Sequence, residues 1–283
     1  MNMTKKFVAA SVLAALSASA NAAYIFDAWQ LDTTNAGIAS VTTNIGHLNF
    51  SGGIGNIHQY LDGGANATAL DAGDSFKEFG NIYSLSFTKN NKIGAGDNGG
   101  PKVLQGNLTD LQLEFIGLTG KITSVAADGT ATYAFDAGAG DIILKGSADD
   151  QTTWTDLAHF AMANPSGGDV GKFIGGIQPN GQTDVLAMVS TSGYTSNLFR
   201  DSTGASMDSL VSIGRLFGAF HSTNKLDTSN PVLCGLDNDQ RLACDLVVTS
   251  DGSFDLVPEP TSVALMGLGL IGIAGAARRA RKS

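Results

Sequence analysis

The residues of this chain best suited to acid–base or metal chemistry are its four histidines: His47, His58, His159 and His221. His47 and His58 flank the glycine-rich segment FSGGIGN, so that a hairpin there would bring the two rings together. His221 is followed by Ser222, but the sequence identifies no acid that would orient its ring. A lone histidine at a strand edge is more often a hydrogen-bonded surface residue. We therefore predict no catalytic residue and no metal ligand among them.

Short catalytic motifs are absent or occur out of context. The sequence contains no H-E-x-x-H and no G-x-S-x-G segment. Two S-x-x-K segments, residues 86–89 and 222–225, have the spacing of a serine nucleophile and a lysine one helical turn later. Ser86 lies in an alternating, strand-like pattern, and the partner motifs S-D-N and K-T-G are missing, which indicates chance matches. A site assembled from residues far apart in sequence would escape such a scan, so a secreted hydrolase remains the alternative function.

Aspartate-rich turns supply the carboxylate oxygens that Ca²⁺ prefers. The candidates are residues 71–74, 136–141 and 237–239. None of them completes the D-x-[DN]-x-[DN]-G pattern with a glutamate at position twelve. Aspartate is in any case expected in turns, because its side chain accepts hydrogen bonds from nearby backbone amides. We predict no cofactor and leave calcium binding at one of these turns open.

The segments that would position these residues have the pattern of short strands. Apolar side chains nearly alternate with polar ones in several stretches, which are AYIFDAWQL, LQLEFIGL, TATYAFDAG, DVLAMVS, CDLVVTS and SFDLV. Turn signals separate them: AGDNGGP, AADGT, ADDQT, NPSGG and SDGS. Residues 207–220 are the exception and suit a short helix. The predicted fold is all-β, a sandwich-like antiparallel body of one domain with one or two short helices.

The N-terminal end of the chain has the pattern of a secretory signal peptide. Lys5 and Lys6 precede an apolar run of 12 residues, and residues 20–22, Ala-Asn-Ala, supply the small side chains of a cleavage site. The apolar run is too short to cross a bilayer, which takes roughly 20 residues. We predict a signal helix within residues 1–22, export by the Sec route and cleavage after Ala22.

Two cysteines, Cys234 and Cys244, occur in the segment LCGLDNDQRLACDL. In an exported protein a single pair is more often a disulfide than part of a metal site. Zinc would need two further ligands, and no histidine lies within ten residues of either cysteine. We predict a disulfide that staples a hairpin with its tip at residues 236–239. In the chain-entropy model a loop of this length contributes about 3 kcal/mol.

The C-terminal end carries an apolar segment followed by basic residues. Residues 263–277 contain no charge, and with Thr261 and Ser262 the run reaches the lower limit for a helix that spans a bilayer. The basic residues that follow are Arg278, Arg279, Arg281 and Lys282. Cationic residues after an apolar segment stay on the cytoplasmic side. We predict a C-terminal transmembrane helix that tethers the exported body to the membrane.

Directly before this helix lies the tetrapeptide Val257-Pro258-Glu259-Pro260. Two prolines around one acid fit neither a helix interior nor a central strand, which predicts an extended, exposed elbow suited to recognition by a protease. The order of Pro-Glu-Pro, short apolar helix and arginine-rich end resembles the PEP-CTERM proteins of Gram-negative bacteria. The resemblance covers residues 257–283 and, more weakly, the signal peptide.

This resemblance implies that the tail is a sorting signal read by an exosortase, a membrane cysteine peptidase that processes the protein near Pro-Glu-Pro. It divides the chain into a signal peptide (residues 1–22), an exported β-rich body (residues 23–257) and a sorting tail (residues 258–283). Many members of the family accompany exopolysaccharide production, biofilm or floc formation, and the body resembles the flocculation-associated members in general layout. The implied location is the cell surface or extracellular matrix, reached through a transient membrane anchor.

The net charge of the predicted body limits the classes of molecule that can bind to it. Six of the 17 basic residues lie in the two targeting segments, whereas 25 of the 26 acids lie in residues 23–257, so that the body carries a net charge of −14. Such a surface repels nucleic acid and anionic lipid, and no basic patch with interleaved aromatic residues is present. We expect no nucleic-acid partner and favour a noncatalytic protein that associates with exopolysaccharide.

Overall fold

The computed structural model describes Phe26 and residues 28–62, 70–89, 102–149, 151–171, 180–227, 229, 233–236 and 242–258. The predicted signal peptide and the sorting tail from Glu259 onward, including the predicted transmembrane helix and the basic end, lie outside the described residues. Phe26–Leu256 form one of the two units into which the chain divides.

Strands dominate the described part of the chain. They are β1 (Trp29–Asp32), β2 (Val41–Tyr60), β3 (Ser75–Lys89), β4 (Lys102–Val103), β5 (Asp110–Val125), β6 (Ala131–Phe135), β7 (Asp141–Ser147), β8 (Thr155–Val170), β9 (Asn180–Val189), β10 (Phe199–Asp201), β11 (Leu216–Leu226), β12 (Leu233–Leu236) and β13 (Leu242–Pro258). One α-helix, α1 (Asp208–Ser212), and a 3-10 turn, Thr34–Ala36, complete the regular structure of the described residues. The prediction of an all-β antiparallel body is confirmed.

The antiparallel sheet closes on itself. From β2 the hydrogen-bonded path runs through β13, β11, β9 and β8 in one direction and through β3 and β5 in the other. The gap between β5 and β8 is bridged at two levels, because β7 pairs with the first halves of both strands and β6 with their second halves. The paired strands therefore form a closed ring, and alternate residues of each strand face a common interior.

Irregularities in the long strands let the sheet curve enough to close. The pairing of β2 with β3 shifts register three times between Ile45 and Ile54. Gly52 adopts a positive φ of 68° in this stretch, a conformation that glycine reaches without strain. Gly80 of β3 approaches β2 so closely that a Cβ atom would stand 2.2 Å from the carbonyl oxygen of Ile54. Because bulges bend and twist a strand, these positions turn the wall inward.

The main hydrophobic core centres on aromatic rings. Trp29 is fully buried and meets Phe199 and Phe254 edge-on, with ring centroids 5.9 and 6.0 Å apart. Phe160 meets Phe254 in the same way at 5.7 Å. Edge-to-face pairs of this kind contribute about 0.5–1.5 kcal/mol each beyond their buried area. The four rings come from β1, β8, β10 and β13, so the core ties several walls of the enclosure together.

The local predictions succeed for strands and partly fail for turns and helix. Alternating segments fall in β1, β5, β6, β9 and β13, as predicted. NPSGG (residues 164–168) and SDGS (residues 250–253) are wrong as turns, because they form register shifts inside β8 and β13. A bulge uses the same small residues as a chain reversal. Of the predicted helix over residues 207–220 only Asp208–Ser212 is helical, and β11 already begins at Leu216.

The predicted disulfide between Cys234 and Cys244 is present. The two residues lie directly opposite each other in β12 and β13, with 4.1 Å between their Cα atoms. Cys244 is buried, whereas Cys234 is exposed. The bond joins two antiparallel strands, in agreement with the predicted hairpin, although residues 237–240 at its tip lie outside the described residues.

Replacing both cysteines with serine is expected to lower the free energy of unfolding by up to about 3 kcal/mol and to leave the fold intact, because the closed loop is short and local. The exported wild-type protein should be lighter than its dithiol form by two hydrogens and should accept an alkylating reagent only after reduction. Intact-mass measurement before and after reduction checks the bond. Two alkylated thiols in the native, unreduced protein would contradict it.

Candidate functional site

Inward-facing side chains of the closed sheet surround a space that we name the interior chamber. It consists of two adjoining cavities of about 520 and 690 Å³, openings to solvent included. Both are lined by residues of β2, β3, β5, β6, β9, β11 and β13, which places them inside the ring of strands. Glu78 of β3 and Asn224 of β11 line both cavities, so the two spaces meet at these residues.

The walls of the chamber are mostly apolar, and strand alternation explains which residues form them. In β13, Val248 faces the chamber, whereas the preceding Val247 does not line it and lies on the other face of the strand. Phe76, Tyr133 and Phe135 form a group of edge-on rings with centroids 5.4 to 5.6 Å apart. This group gives β3 and β6 a rigid aromatic surface on the chamber side.

Among the described residues that line the chamber, Glu78 is the only acid. Its side chain is partly buried, and burial raises the pKa of its carboxyl group from 4.5 to about 7. Within the described part of the chain this carboxyl group has no hydrogen-bond or ion-pair partner. Gly55 of β2 packs close to it, since a Cβ atom there would stand 3.3 Å from Oε1 of Glu78 and 2.9 Å from Cγ2 of Val248. A partnerless ionisable group in a cavity is a candidate binding position.

A chain of hydroxyl and amide groups connects β6, β9, β11 and β13 beside Glu78. The Tyr133 hydroxyl shares a hydrogen bond with Oγ1 of Thr183, which also accepts one from Nδ2 of Asn224. Oγ of Ser250 donates to Oδ1 of Asn224 at 2.6 Å. Burial raises the pKa of Tyr133, and the nearby Glu78 carboxylate raises it further. The hydroxyl of Tyr133 therefore stays protonated at neutral pH, and the members of this chain satisfy one another.

The predicted convergence of His47 and His58 is wrong. Both residues lie in β2, because the segment FSGGIGN continues this strand and forms no hairpin turn. Eleven residues at about 3.3 Å each separate the two by roughly 35 Å along the strand. His47 lies near Asp255 instead: burial raises the pKa of this aspartate to about 6, and the charge of His47 offsets part of the rise.

The other histidines pair with aspartates on neighbouring strands. The pairs are His58–Asp245, His159–Asp141 and His221–Asp184, with Nδ1–Oδ distances of 2.5 to 3.0 Å. The acid partner of His221 is not identifiable in sequence because it lies 37 residues away and meets His221 only through the register of β9 and β11. The hydrogen bonds of these three rings go to aspartates, and none within the described residues goes to a serine, threonine or cysteine. The pairs are hydrogen-bonded as predicted, and no nucleophile among the described residues extends any of them to a triad.

Two of the three aspartate-rich turns lie within the described residues, and their carboxylates bind groups of the protein. Asp74 is buried and accepts a hydrogen bond from the backbone amide of Asp71. Asp136 accepts one from the hydroxyl of Thr119. The third turn, residues 237–239, lies outside the described range. Across the part of the chain that is described, no group of three or more His, Cys, Asp or Glu side chains is placed to hold a metal ion.

Both S-x-x-K segments lie in strands, since Ser86 belongs to β3 and Ser222 to β11. The motif requires a lysine one helical turn after the serine, and neither segment is helical. Their strand conformation agrees with the interpretation of both as chance matches.

The sequence analysis does not single out Glu78, Tyr133 or Asn224. Their inward position depends on which strands pair and in which register, and neither can be read from local alternation. One signal was available. Glu78 is one of two glutamates in the predicted body and stands two residues after Phe76, which places it on the same face of the strand as a core aromatic residue.

Comparison with known proteins identifies the C-terminal segment. Residues 256–282 match the family model of the PEP-CTERM protein-sorting motif. The chain therefore carries the PEP-CTERM sorting motif, as the sequence predicts. The motif is the recognition signal of exosortase and implies a secreted, exosortase-processed protein of the cell surface. Comparisons with curated proteins and with solved structures give no match.

None of the helices among the described residues is long and apolar enough to span a membrane.

Proposed function

We propose that this protein is a noncatalytic component of the cell surface or extracellular matrix of a Gram-negative bacterium, exported by the Sec route and associated with exopolysaccharide in biofilm or floc formation. The sorting motif at residues 256–282 carries the proposal. It directs a folded, strongly acidic body to the cell surface, where exopolysaccharide is located. Before processing, the C-terminal helix would hold the protein in the membrane.

The arrangement of the histidines supports the noncatalytic part of the proposal. A hydrolytic triad needs a nucleophile, a base and an acid in hydrogen-bonded sequence. His221 has its acid in Asp184, but Ser222 is hydrogen-bonded to Asn224 and belongs to the polar chain of the interior chamber. The pairs at His58 and His159 likewise lack a nucleophile within the described residues.

The charge of the body sets a condition for cohesion between cells. A net charge of −14 makes copies of the body repel one another and repel acidic polysaccharide. Salt screens such repulsion only beyond a length of about 10 Å at 0.1 M. Divalent cations offset the repulsion directly, because Ca²⁺ binds carboxylate oxygens of both partners. Exposed aspartates such as Asp251 offer such oxygens at the surface of the body.

Aggregation that depends on this protein is therefore expected to require millimolar Ca²⁺ or Mg²⁺ and to be reversed by a chelator. The measurement is the settling of wild-type and deletion strains with and without chelator, together with the polysaccharide that each strain retains. Equal settling of the wild type in both conditions, with no settling of the deletion strain, would show that cohesion comes from direct protein contacts. Equal settling and equal polysaccharide in the two strains would contradict the proposed function.

Substitutions in the aspartate-rich turns locate the bridging carboxylates. Neutralising Asp237 and Asp239 to asparagine should weaken the cation dependence if that turn bridges. The same change at Asp71 and Asp74 is a less specific test, because the buried Asp74 carboxylate fixes its own turn and its loss also destabilises the body. The exposed Asp169→Asn variant lies outside the aspartate-rich turns, removes one carboxylate that has no hydrogen-bond partner among the described residues, and serves as the control.

A further inference from the structure

We propose that the interior chamber binds an amphipathic small molecule whose alkyl chain lies against the apolar walls and whose protonated amine pairs with Glu78. The site lies inside the ring of strands, so it is separate from any surface that would contact polysaccharide or another cell.

The lining of the chamber is that of a ligand pocket. Protein interiors are close-packed and contain few voids larger than a water molecule. Pockets for small molecules combine mainly apolar walls with a few placed polar groups. The two adjoining cavities are each larger than a single water molecule and are lined largely by aliphatic and aromatic side chains. An alkyl chain would gain stability there by leaving water.

Glu78 has no structural role that would explain its position. It lies at the junction of the two cavities and forms no hydrogen bond or ion pair within the described residues. An unpaired carboxylate drawn partly out of water destabilises the folded state, whereas an apolar residue of similar size would not. Because the side chain is only partly buried and faces both cavities, an incoming group can reach its carboxyl group. The residue is therefore placed to meet a partner from outside the chain.

The neighbouring polar groups show which kind of partner Glu78 requires. Tyr133, Thr183, Asn224 and Ser250 use their donors and acceptors on one another. These groups leave Glu78, the acid among the described residues that line the chamber, without a partner. A protonated amine supplies up to three donors and an opposite charge, and charge-assisted hydrogen bonds are about twice as strong as neutral ones.

The electrostatics of the whole body favour the same ligand class. Because the body carries a net charge of −14, its field concentrates cations and repels anions. A fatty acid would bring a second carboxylate beside Glu78, and like charges in a buried site destabilise each other. A neutral alcohol would form a hydrogen bond with Glu78 but would lack the charge pairing. An alkylamine satisfies both the apolar walls and the acid.

Calorimetric titration of the mature, exported protein at pH 7.5 with decylamine, decanol and decanoic acid tests the proposal. We expect one decylamine per protein, bound about tenfold or more tightly than decanol, since a hydrogen bond to a charged group stabilises more than one between neutral groups. Decanoic acid should bind more weakly than both. The Glu78→Gln variant should bind decylamine no better than decanol, whereas the exposed Asp169→Asn variant should bind it like the wild type.

A second pair of variants tests the place of binding. Val248→Trp fills the chamber and should abolish binding of decylamine and decanol, whereas Val247→Trp, on the other face of β13, should leave both unchanged. Circular dichroism checks that each variant is folded, and if Val248→Trp fails to fold, Glu78→Gln decides alone. The proposal is overturned if decanoic acid binds as tightly as decylamine, or if Glu78→Gln keeps the full preference for the amine. Binding of many amines per protein, unaffected by Glu78→Gln, would show adsorption to the acidic surface and overturn it as well.

Discussion

Replacement of Glu78 with glutamine is expected to raise the free energy of unfolding by about 3 kcal/mol at pH 8 and to change it little at pH 4. Burial raises the pKa of this carboxyl group from 4.5 to about 7 in the folded protein. The folded state therefore holds its proton where the unfolded chain has released it, and the wild type loses stability as the pH rises from about 4.5 to 7. Glutamine does not ionise, so the variant escapes this loss.

Urea denaturation of the mature protein between pH 4 and pH 8.5 measures the effect. Asp255, whose pKa burial raises from 3.8 to about 6, produces a loss of the same sign at lower pH and remains in the variant. Asp32 has a lowered pKa, so its contribution is lost only as the pH falls through the acid range below this window. The exposed Asp169→Asn variant should follow the wild-type curve. Parallel curves for wild type and Glu78→Gln would contradict the assignment of a raised pKa to Glu78.

The strands could be predicted from the sequence because their signal is local. In LQLEFIGL the apolar side chains nearly alternate, and this segment forms part of β5. The closure of the sheet could not be predicted, because it depends on β2 pairing with both β3 and β13 across long stretches of sequence. The register shifts inside β8 and β13 could not be predicted from the sequence either. Small and turn-forming residues permit a bulge as readily as a reversal, and only the partner strand decides between them.

The functional residues show the same division between what a contiguous sequence pattern predicts and what depends on strands distant in sequence. The sorting signal is contiguous, so Pro258, the residues after it and the apolar and basic segments could be recognised in order. The disulfide could be predicted because two cysteines in an exported chain have one pairing to form. Glu78 and the acid partner of His221 could not, because each owes its environment to strands that are distant in sequence. In the sequence, a glutamate that faces solvent cannot be distinguished from one that faces the interior until the register of the strands is known.

Replacement of Pro258, Glu259 and Pro260 with alanine is expected to leave export intact and to change the mature C terminus. The match to the sorting motif spans residues 256–282 and includes these three positions. Alanines favour continuation of regular structure, whereas the two prolines enforce an extended segment that a peptidase can reach. We expect export itself to depend on the predicted N-terminal signal peptide, which this substitution does not change. Intact-mass measurement of the protein from the cell surface and the membrane fraction resolves the two forms.

In the wild type we expect loss of the basic end, Arg278, Arg279, Arg281 and Lys282, because exosortase processing near Pro-Glu-Pro separates the body from the helix that follows. The alanine variant should retain this end and remain in the membrane fraction, since the uncharged segment before it reaches the lower length limit for a spanning helix. A host without exosortase is the control, and there the wild type should behave like the variant. Wild-type protein that still carries residues 278–283 in an exosortase-positive host would contradict processing, whatever the body does at the cell surface.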